Sequence, residues 1–320
     1  MVGIPIPFSH HDHLPNLVSF RSSLPFVYFV VSSFLLFSLP WFHFFCRSRP
    51  WSVECVRAMI VIDDSDSWLL VRQTDHAAMS ARIARDWCRP NAFEPAIWDR
   101  FLAAVRRHDD GWIKTERSPS LDPDGRPHDF KSIHTTEHVA VWRRSVDLAA
   151  EDDPYVALLV ALHARWLYTH VDQGTVEEER IAQAFVDQIT IRIDEFIGRL
   201  SVGSADLRDA VRPPNLAAAQ SLLGFFDAFS LALIGGIDRF AATGNLPFAD
   251  RSSRLSISFD HGGLHGAAVR LDPWPLKVDR LEVSTRADAL PRAPFQDSAQ
   301  LIAALRQTFP IELSWTLSRG

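Results

Sequence analysis

The sequence predicts a mainly α protein: a helical bundle preceded by a short β-hairpin and followed by a small antiparallel β region. Three observations support this fold class. Helix caps and apolar residues at helical spacing run through most of residues 74–234. Short stretches of alternating apolar and polar residues follow beyond residue 244. Of the 320 residues, 47% are apolar, which is sufficient for a large core.

The predicted elements begin at Met59, where two apolar runs flank a polar turn in MIVIDDSDSWLLV. This pattern is typical of a β-hairpin. We expect Thr74 to cap a first helix over Asp75–Cys88. Pro95 suits the first turn of a second helix. We expect this helix to end where Gly111 adopts the left-handed conformation.

Residues 115–132 are rich in Pro, Asp and Gly and predict a long ordered loop, which in a compact domain is usually functional. Further helices follow it. An apolar pattern predicts a helix at His134–Ala150, and an Asp-Pro start predicts one at Asp153–Thr169. A capping box begins the helix at Thr175–Leu200, and a proline pair precedes the helix at Asn215–Ile234. The last helix is apolar nearly all round, so we expect it at the centre of the bundle.

Beyond Gly244 the pattern changes to alternating stretches separated by Gly and Pro. These predict strands and one helix, near Asp297–Gln307. The predicted strands are Leu255–Phe259, Ala267–Leu271, Arg280–Ser284 and Ile311–Leu317. The chain is therefore divided into an N-terminal extension of residues 1–58, a helical domain of residues 59–244 and a small α+β part, residues 245–320, of the same unit.

The N-terminal extension contains an uncharged apolar run, Leu24–Cys46, that is long enough to span a bilayer. In one interpretation it is an anchor, and Arg47, Arg49 and Arg57 place the domain on the cytoplasmic side. In the other, the start codon is set too far upstream. We favour the second, because the hairpin at Met59 is a natural beginning for a domain. We therefore expect a cytoplasmic protein, with a membrane as partner only if the run is expressed.

Composition excludes two classes of protein. The formal charge of −6 and the isoelectric point near 6.1 provide no basic surface for nucleic acid. Three cysteines, Cys46, Cys55 and Cys88, form neither an even set nor a metal-ligand spacing. This argues against a disulfide framework and favours a reducing compartment.

Several His and Asp residues occupy positions that predict a metal site. Asp227 lies in LLGFFDAFSLAL, where a buried carboxylate costs several kcal/mol unless it is paired, hydrogen-bonded or bound to metal. His108 and Asp109 are adjacent at a predicted helix end. Taken alone, each is more often explained by a salt bridge, a cap or a core histidine than by a metal. Because several helices each direct such a residue inward, we expect a metal site at His76, His108, Asp109, His138, His163 and Asp227.

The order of these residues resembles the HD-domain superfamily of metal-dependent phosphohydrolases, whose two-metal members insert two histidines before the last Asp. His108-Asp109-x-Gly111 is similar to the H-D-x-G element of that superfamily. The resemblance implies an HD-like helical bundle. The chain departs from the pattern at Trp112, where Lys is common, at His163, which lacks a double histidine, and at the additional acid Asp110.

The stretch from Met59 onward is more closely similar to an uncharacterised bacterial family, domain of unknown function 3891. Four segments carry this similarity, and a fifth, Asp272-Pro-Trp-Pro275, lies near the end. The four are Gln73-Thr-Asp-His76, His108-Asp-Asp-Gly-Trp112, Asp129-Phe130 and Glu137-His138-Val-Ala-Val-Trp142. The resemblance implies a family and no activity.

Imidazole and carboxylate ligands favour a divalent transition metal, Fe, Mn, Zn or Ni, over Mg or Ca. Such an ion activates water for attack at phosphorus. We expect a small phosphorylated compound as substrate and Asp109, Lys114 and Asp129 as catalytic residues, with residues 115–132 covering the site. Basic side chains expected to hold phosphate, or equally to be surface charges, are Lys114, Lys131, Arg143, Arg144 and Arg165. We also expect Trp112 and Trp142 to line a pocket.

The leading hypothesis is therefore a metal-dependent, HD-like hydrolase. Two alternatives remain open. One is a di-iron oxygenase, since some HD-fold proteins use two irons and dioxygen. The other is a non-enzymatic protein, in which the histidines form a structural network or a ligand-sensing site.

Overall fold

The computed structural model describes residues 58–170, 174–236, 239–260 and 266–320. The apolar run Leu24–Cys46, and with it the choice between an anchor and an upstream start codon, lies outside the described residues. Helices make up most of what is described, which confirms the mainly α class. They are α1 (Gln73–Asp86), α2 (Pro95–Arg107), α3 (Ile113–Glu116), α4 (Thr135–Asp152), α5 (Pro154–His170), α6 (Val176–Ser201), α7 (Ala205–Ala210), α8 (Pro213–Ile234) and α9 (Ser298–Gln307).

The strands form one sheet in the order β1-β2-β6-β7-β5-β4-β3. Neighbouring strands are antiparallel except β5 and β7, which are parallel. The strands are β1 (Ile60–Asp63), β2 (Ser67–Val71), β3 (Arg239–Phe248), β4 (Arg251–Asp260), β5 (Ala267–Asp272), β6 (Arg280–Pro291) and β7 (Ile311–Arg319). The predicted hairpin and C-terminal β region are therefore both present. The structure adds that they are joined, because β2 pairs with β6, and that β3 extends the sheet.

Strand β2 shows why the hairpin joins the sheet. Its sequence SWLLV is almost continuously apolar, which is typical of a strand covered on both faces. Leu69 and Val71 pack into the main core. Trp68 and Leu70 face the other way, into a smaller cluster with Leu301 of α9. A two-stranded hairpin alone cannot cover both faces, so burial of β2 requires the C-terminal residues.

Helices α5 and α8 form the centre of the bundle, which the sequence predicts for α8. Phe225, Phe226 and Phe229 of α8 are fully buried. Of the helices described, α8 is the one long and apolar enough to cross a membrane, and 56% of its most apolar window is buried inside the protein. At the start of α5, Asp153 accepts hydrogen bonds from the backbone N–H groups of Tyr155 and Val156 at 2.7 and 3.2 Å. This satisfies two of the free N–H groups of the helix N-terminus.

Helix α6 begins at the predicted capping box. Thr175 accepts a hydrogen bond from the Glu178 backbone N–H at 3.2 Å, and Glu178 accepts one from the Thr175 backbone at 3.1 Å. One face of the helix is then buried at helical spacing, at Phe185, Ile189, Ile193, Phe196 and Leu200. The capping box and the apolar face together explain the start and the orientation of α6.

Two expected caps are wrong. Helix α1 begins at Gln73 without a side-chain cap from its own N-terminus, and Thr74 lies inside its first turn. Gly111 does not adopt the left-handed conformation. It lies instead in a short 3-10 turn, Asp110–Trp112, pressed against α4. A Cβ at Gly111 would lie 2.2 Å from the Val141 carbonyl oxygen, so the position requires glycine because of close packing.

Candidate metal centre

The inward-facing His and Asp residues come from separate helices that pack around α8. His76 lies in the second turn of α1, and His108 with Asp109 follows the last residue of α2. His163 lies in the apolar α5, and Asp227 in the middle of α8. Helix α8 contacts each of the other three, so its central carboxylate faces all the histidines.

Four side-chain atoms form a closed ring, which we call the donor ring: Nε2 of His76, Oδ2 of Asp109, Nε2 of His108 and Oδ1 of Asp227. His76 lies 2.7 Å from Asp109 and 3.6 Å from Asp227. His108 lies 3.4 Å from each of these carboxylates. Ligands about 2.1 Å from one ion, at right or tetrahedral angles, are about 3.0 to 3.4 Å apart. The donor ring therefore has the size of one coordination sphere.

His163 lies just outside the ring. Its Nε2 is 3.3 Å from Oδ2 of Asp227, the carboxylate oxygen that is not part of the ring. The ligand atoms of two groups, His76/His108/Asp109 and His108/His163/Asp227, each lie within 4.8 Å of one another. Both groups are able to hold a metal ion, and His108 belongs to both.

The centre is enclosed. The side chains of His76, His108 and His163 are 0%, 1% and 2% exposed, and that of Asp109 is 7% exposed. Asp227, at 14%, provides the widest opening to solvent. Two carboxylates in such surroundings need a compensating positive charge, since burying unpaired charge costs several kcal/mol.

The pKa values of Asp227 and His108 are shifted in the direction that places positive charge beside the carboxylates. Burial opposes ionisation of Asp227, yet the interactions with His108 and His163 hold the pKa of this carboxyl well below its usual range. Burial also lowers the pKa of His108, but the carboxylates of Asp109 and Asp227 outweigh it and raise that pKa to about 9. The two carboxylates therefore attract positive charge strongly, and an imidazolium or a metal ion can supply it.

In the residues that the structure describes, three imidazole nitrogens of the cluster lack a hydrogen-bond partner, which is compatible with binding of a metal ion. His108 Nδ1 donates to the Val105 carbonyl at 2.8 Å, which leaves Nε2 facing the donor ring. Within the described part of the chain, His108 Nε2 and both ring nitrogens of His163 have no hydrogen-bond partner. An unsatisfied buried polar group costs about 1–3 kcal/mol. Two imidazoles and two carboxylates around one point therefore fit a divalent transition metal.

Two serines orient His76. Its Nδ1 lies 2.8 Å from Ser230 Oγ, which in turn lies 2.7 Å from Ser80 Oγ. A hydrogen bond at Nδ1 turns Nε2 towards the donor ring, as is common for metal-binding histidines. Ser80 is absent from the sequence-based prediction, although its position four residues after His76 places it on the same helix face.

The structure does not place His138 in either ligand group. Its Nε2 accepts a hydrogen bond from the indole N–H of Trp142 at 3.1 Å, and its Nδ1 lies 2.9 Å from the Tyr168 hydroxyl. Burial lowers the pKa of His138 to about 4, against the opposing effect of Asp109. His138 is thus a neutral imidazole with both nitrogens occupied. Trp142, which holds it, packs edge-on against the His163 ring at 5.5 Å.

The other predicted catalytic residues lie apart from the ligand groups. The carboxylate of Asp129 accepts hydrogen bonds from the backbone N–H groups of Val61 and Lys131 at 3.0 and 2.9 Å, which ties the long loop to the hairpin. Both oxygens of Asp129 are therefore engaged in structure. Lys114 is exposed on α3. The additional acid Asp110 is paired with Arg107 at 2.8 Å.

Of the five basic candidates, Arg144 contacts the His-Asp turn, where its Nε donates to the Gly111 carbonyl at 3.2 Å. Arg143 donates to Gln188 on α6, and Lys131 lies 3.8 Å from Asp129. Arg165 is half-buried, and burial lowers the pKa of its guanidinium. Arg143 and Lys131 are therefore exposed side chains that contact other surface residues.

The tip of the long loop packs against the segment before α9. The Gly125 carbonyl accepts a hydrogen bond from the Phe295 N–H at 2.8 Å. Residues 121–125 and 295–298 border an open cleft of about 420 Å³, whose lining includes none of the ligand residues. The tip thus faces the C-terminal region, while the start of the loop, after Trp112, adjoins the metal centre.

Glu116 is a buried acid that the sequence-based analysis does not identify. One oxygen accepts a hydrogen bond from the Gln73 backbone N–H, and the other accepts one from the Thr74 hydroxyl at 3.1 Å. Glu116 therefore caps α1 from 43 residues away and ties it to the turn that carries His108 and Asp109. No local pattern indicates such a cap, because the helix and its capping residue are distant in sequence.

Glu116 predicts a specific pH dependence of stability. Burial raises its pKa to about 7, although the hydrogen bonds from Gln73 and Thr74 oppose the shift. An unfolded glutamate has a pKa of about 4.3. Between these values the folded chain binds more protons than the unfolded chain, so the free energy of unfolding falls as pH rises from about 4.5 to 7. The decrease from this residue is at most on the order of 3 kcal/mol.

We expect Glu116→Gln, which keeps the shape and the acceptor for Gln73, to flatten this slope. Denaturant unfolding of both proteins at several values between pH 4.5 and 7.5 measures it. The difference in unfolding free energy between the two should shift in favour of the variant as pH rises. Parallel pH profiles for the two proteins would show that Glu116 ionises normally.

The fold and the site together define a class: a mainly α protein with a buried His/Asp cluster that is able to hold a metal ion. The family can also be stated. The model of the protein family of unknown function DUF3891 matches residues 59–292, and the chain belongs to this family. This confirms the membership expected from the sequence motifs. Neither the curated proteins nor the solved structures contain a significant match to the chain.

Proposed function

We propose that this protein is a cytoplasmic, metal-dependent, HD-like hydrolase that acts on a small phosphorylated compound. The donor ring carries the proposal: two imidazole nitrogens and two carboxylate oxygens, each 2.7 to 3.6 Å from the next, are supplied by α1, α8 and the turn that follows α2. Such a set of ligands suits Fe, Mn, Zn or Ni. When bound, an ion of this kind supplies a Lewis acid that makes water a nucleophile at neutral pH.

The residues of this chain would hold and orient the ion. His76 is fixed by Ser230, and His108 by the Val105 carbonyl, so each presents Nε2 to the same point. Asp109 is the ring carboxylate adjacent to a histidine and the candidate for accepting a proton from water. Arg144, whose Nε donates to the Gly111 carbonyl, and the exposed Lys114 of α3 would neutralise phosphate oxygens at the rim of the site. Asp129, with both oxygens bound to backbone, is left out of the chemistry.

The enclosure of the centre supports a small substrate. Among the described ligand residues, only Asp227 has an exposed fraction above one tenth, so a bulky polymer would not reach the ring. The net charge of −6 also disfavours nucleic acid, whose binding depends on neutralising phosphates. A membrane is a partner only if residues 24–46 are expressed as an anchor.

Metal quantification on the full chain, purified without chelator, tests the proposal. The preparation should contain a transition metal, and the protein loaded with it should release phosphate from some members of a panel of phosphomonoesters, nucleotides and diphosphates. Chelation should abolish the release, and the same metal should restore it. Absence of metal after incubation with Mn, Fe, Zn or Ni would favour a structural histidine network. A two-iron optical signal with oxygen uptake would favour the oxygenase.

A further inference from the structure

The number of metal ions that the centre can hold follows from the number of free lone pairs on its nitrogen atoms. Two further histidines, His138 of α4 and His163 of α5, are candidates to complete a second metal site beside the donor ring. The structure brings one of them to the carboxylate of Asp227 and keeps the other away. Whether a second ion has enough ligands depends on the free donor atoms near the ring.

His108 can serve one ion only. Its Nδ1 donates a proton to the Val105 carbonyl at 2.8 Å, so Nε2 holds its single available lone pair. That nitrogen lies 3.4 Å from both ring carboxylates. An ion in the donor ring would therefore consume it, although both groups of three candidate ligands include His108.

His138 has no lone pair for a metal. The indole N–H of Trp142 can only donate, so it occupies the lone pair of His138 Nε2. The proton of the neutral imidazole must then sit on Nδ1, where it is directed at the Tyr168 hydroxyl, 2.9 Å away. Tyr168 and Trp142 are both buried, so this arrangement is held by the core.

The lone pair of His108 would thus bind the ion in the donor ring, and the lone pair of His138 accepts a hydrogen bond. Among the described residues, a second ion would then find two donors, His163 and Oδ2 of Asp227. Protein sites for transition metals usually supply three or four ligands. On these grounds, and resting on the metal binding proposed above, we infer that the centre holds one ion, coordinated by His76, His108, Asp109 and Asp227. His163, whose Nε2 lies 3.3 Å from the second oxygen of Asp227, is then a positioning residue for that carboxylate and stays outside the coordination sphere.

Cobalt(II), titrated into metal-free full-length protein, tests this inference. Wild type should bind about one equivalent, with the electron paramagnetic resonance signal of an isolated ion. His163→Ala should also bind one equivalent with the same visible absorption bands, because the ligands are unchanged. Its affinity should fall about 10-fold or more, as for loss of an outer partner of a metal ligand. His163→Gln, which retains a hydrogen-bond donor, should recover part of that affinity.

Matched variants separate a positioning role from ligation. His76→Ala, which removes a ring ligand, should alter the cobalt bands, whereas His170→Ala, an exposed histidine on the same helix as His163, should change nothing. Two equivalents with a coupled signal would overturn the single-ion inference and leave metal binding intact. Loss of the ion, or altered bands, in His163→Ala would make His163 a ligand and overturn its positioning role. Failure of wild type to bind any metal would instead refute the proposed function itself.

Discussion

Asp227→Ala and His108→Ala are each expected to abolish tight metal binding while the bundle remains folded. Asp227 is the residue on which the cluster converges, with carboxylate oxygens 3.6, 3.4 and 3.3 Å from His76, His108 and His163. Without the Asp227 carboxylate, the three imidazoles and the Asp109 carboxylate no longer enclose a position for a metal ion. Removing His108 takes away the nitrogen shared by both ligand groups.

The fold should survive because the packing of α8 does not depend on Asp227. The aromatic core of this helix, Phe225, Phe226 and Phe229, is untouched by either substitution. Stability should still fall, since loss of one partner leaves the remaining buried charges uncompensated. Breaking a buried pair in this way costs about 3–5 kcal/mol. The loss should be smaller for Asp227, whose side chain is 14% exposed, than for a fully buried partner.

Metal content after incubation and dialysis, with circular dichroism and denaturant unfolding, measures both effects. Asp110→Ala is the matched control, because this acid adjoins the ring but is paired with Arg107. It should retain the wild-type metal content. Full metal content in both Asp227→Ala and His108→Ala would mean that these residues are structural, and the hydrolase proposal would then lose its basis.

Gly111→Ala is expected to destabilise the protein by about 3 kcal/mol or more, at the upper end of overpacking effects. Its Cβ would lie 2.2 Å from the Val141 carbonyl oxygen and 2.6 and 2.8 Å from Ser145 Oγ and N. Two of these atoms belong to the backbone of α4, which cannot move without shifting the helix. The Gly111 N–H also donates to Ser145 Oγ at 3.0 Å, and a shift would break that hydrogen bond.

The same substitution should weaken metal binding, because the turn that Gly111 anchors also carries His108 and Asp109. Gly198→Ala provides the control. This glycine lies within α6, where an added Cβ meets nothing within 4 Å. Alanine there should stabilise the protein by about 0.5–1 kcal/mol and leave metal affinity unchanged. Equal stability effects of the two substitutions would show that α4 gives way to a side chain at Gly111.

Local patterns in the sequence were sufficient for most of the helices and for a set of six candidate residues that includes the five of the cluster. The capping box at Thr175, the Asp-Pro start of α5 and the apolar character of α8 depend on residues within one or two turns. A polar residue such as Asp227 within an apolar helix is conspicuous for the same reason. Local periodicity indicates which face of a helix is buried, and a buried charge requires a partner.

Contacts between distant segments, in contrast, were decided by the tertiary structure. Helical spacing places His138 and His163 both inward, but only packing determines that Trp142 and Tyr168 occupy one while Asp227 faces the other. Likewise, Glu116 caps α1 across 43 residues. Periodicity along a helix encodes that a side chain is buried but not which atoms it meets. The sequence by itself thus determined the helical class and six candidate ligands, and the tertiary structure decided that five of them cluster and which nitrogens remain free for a metal.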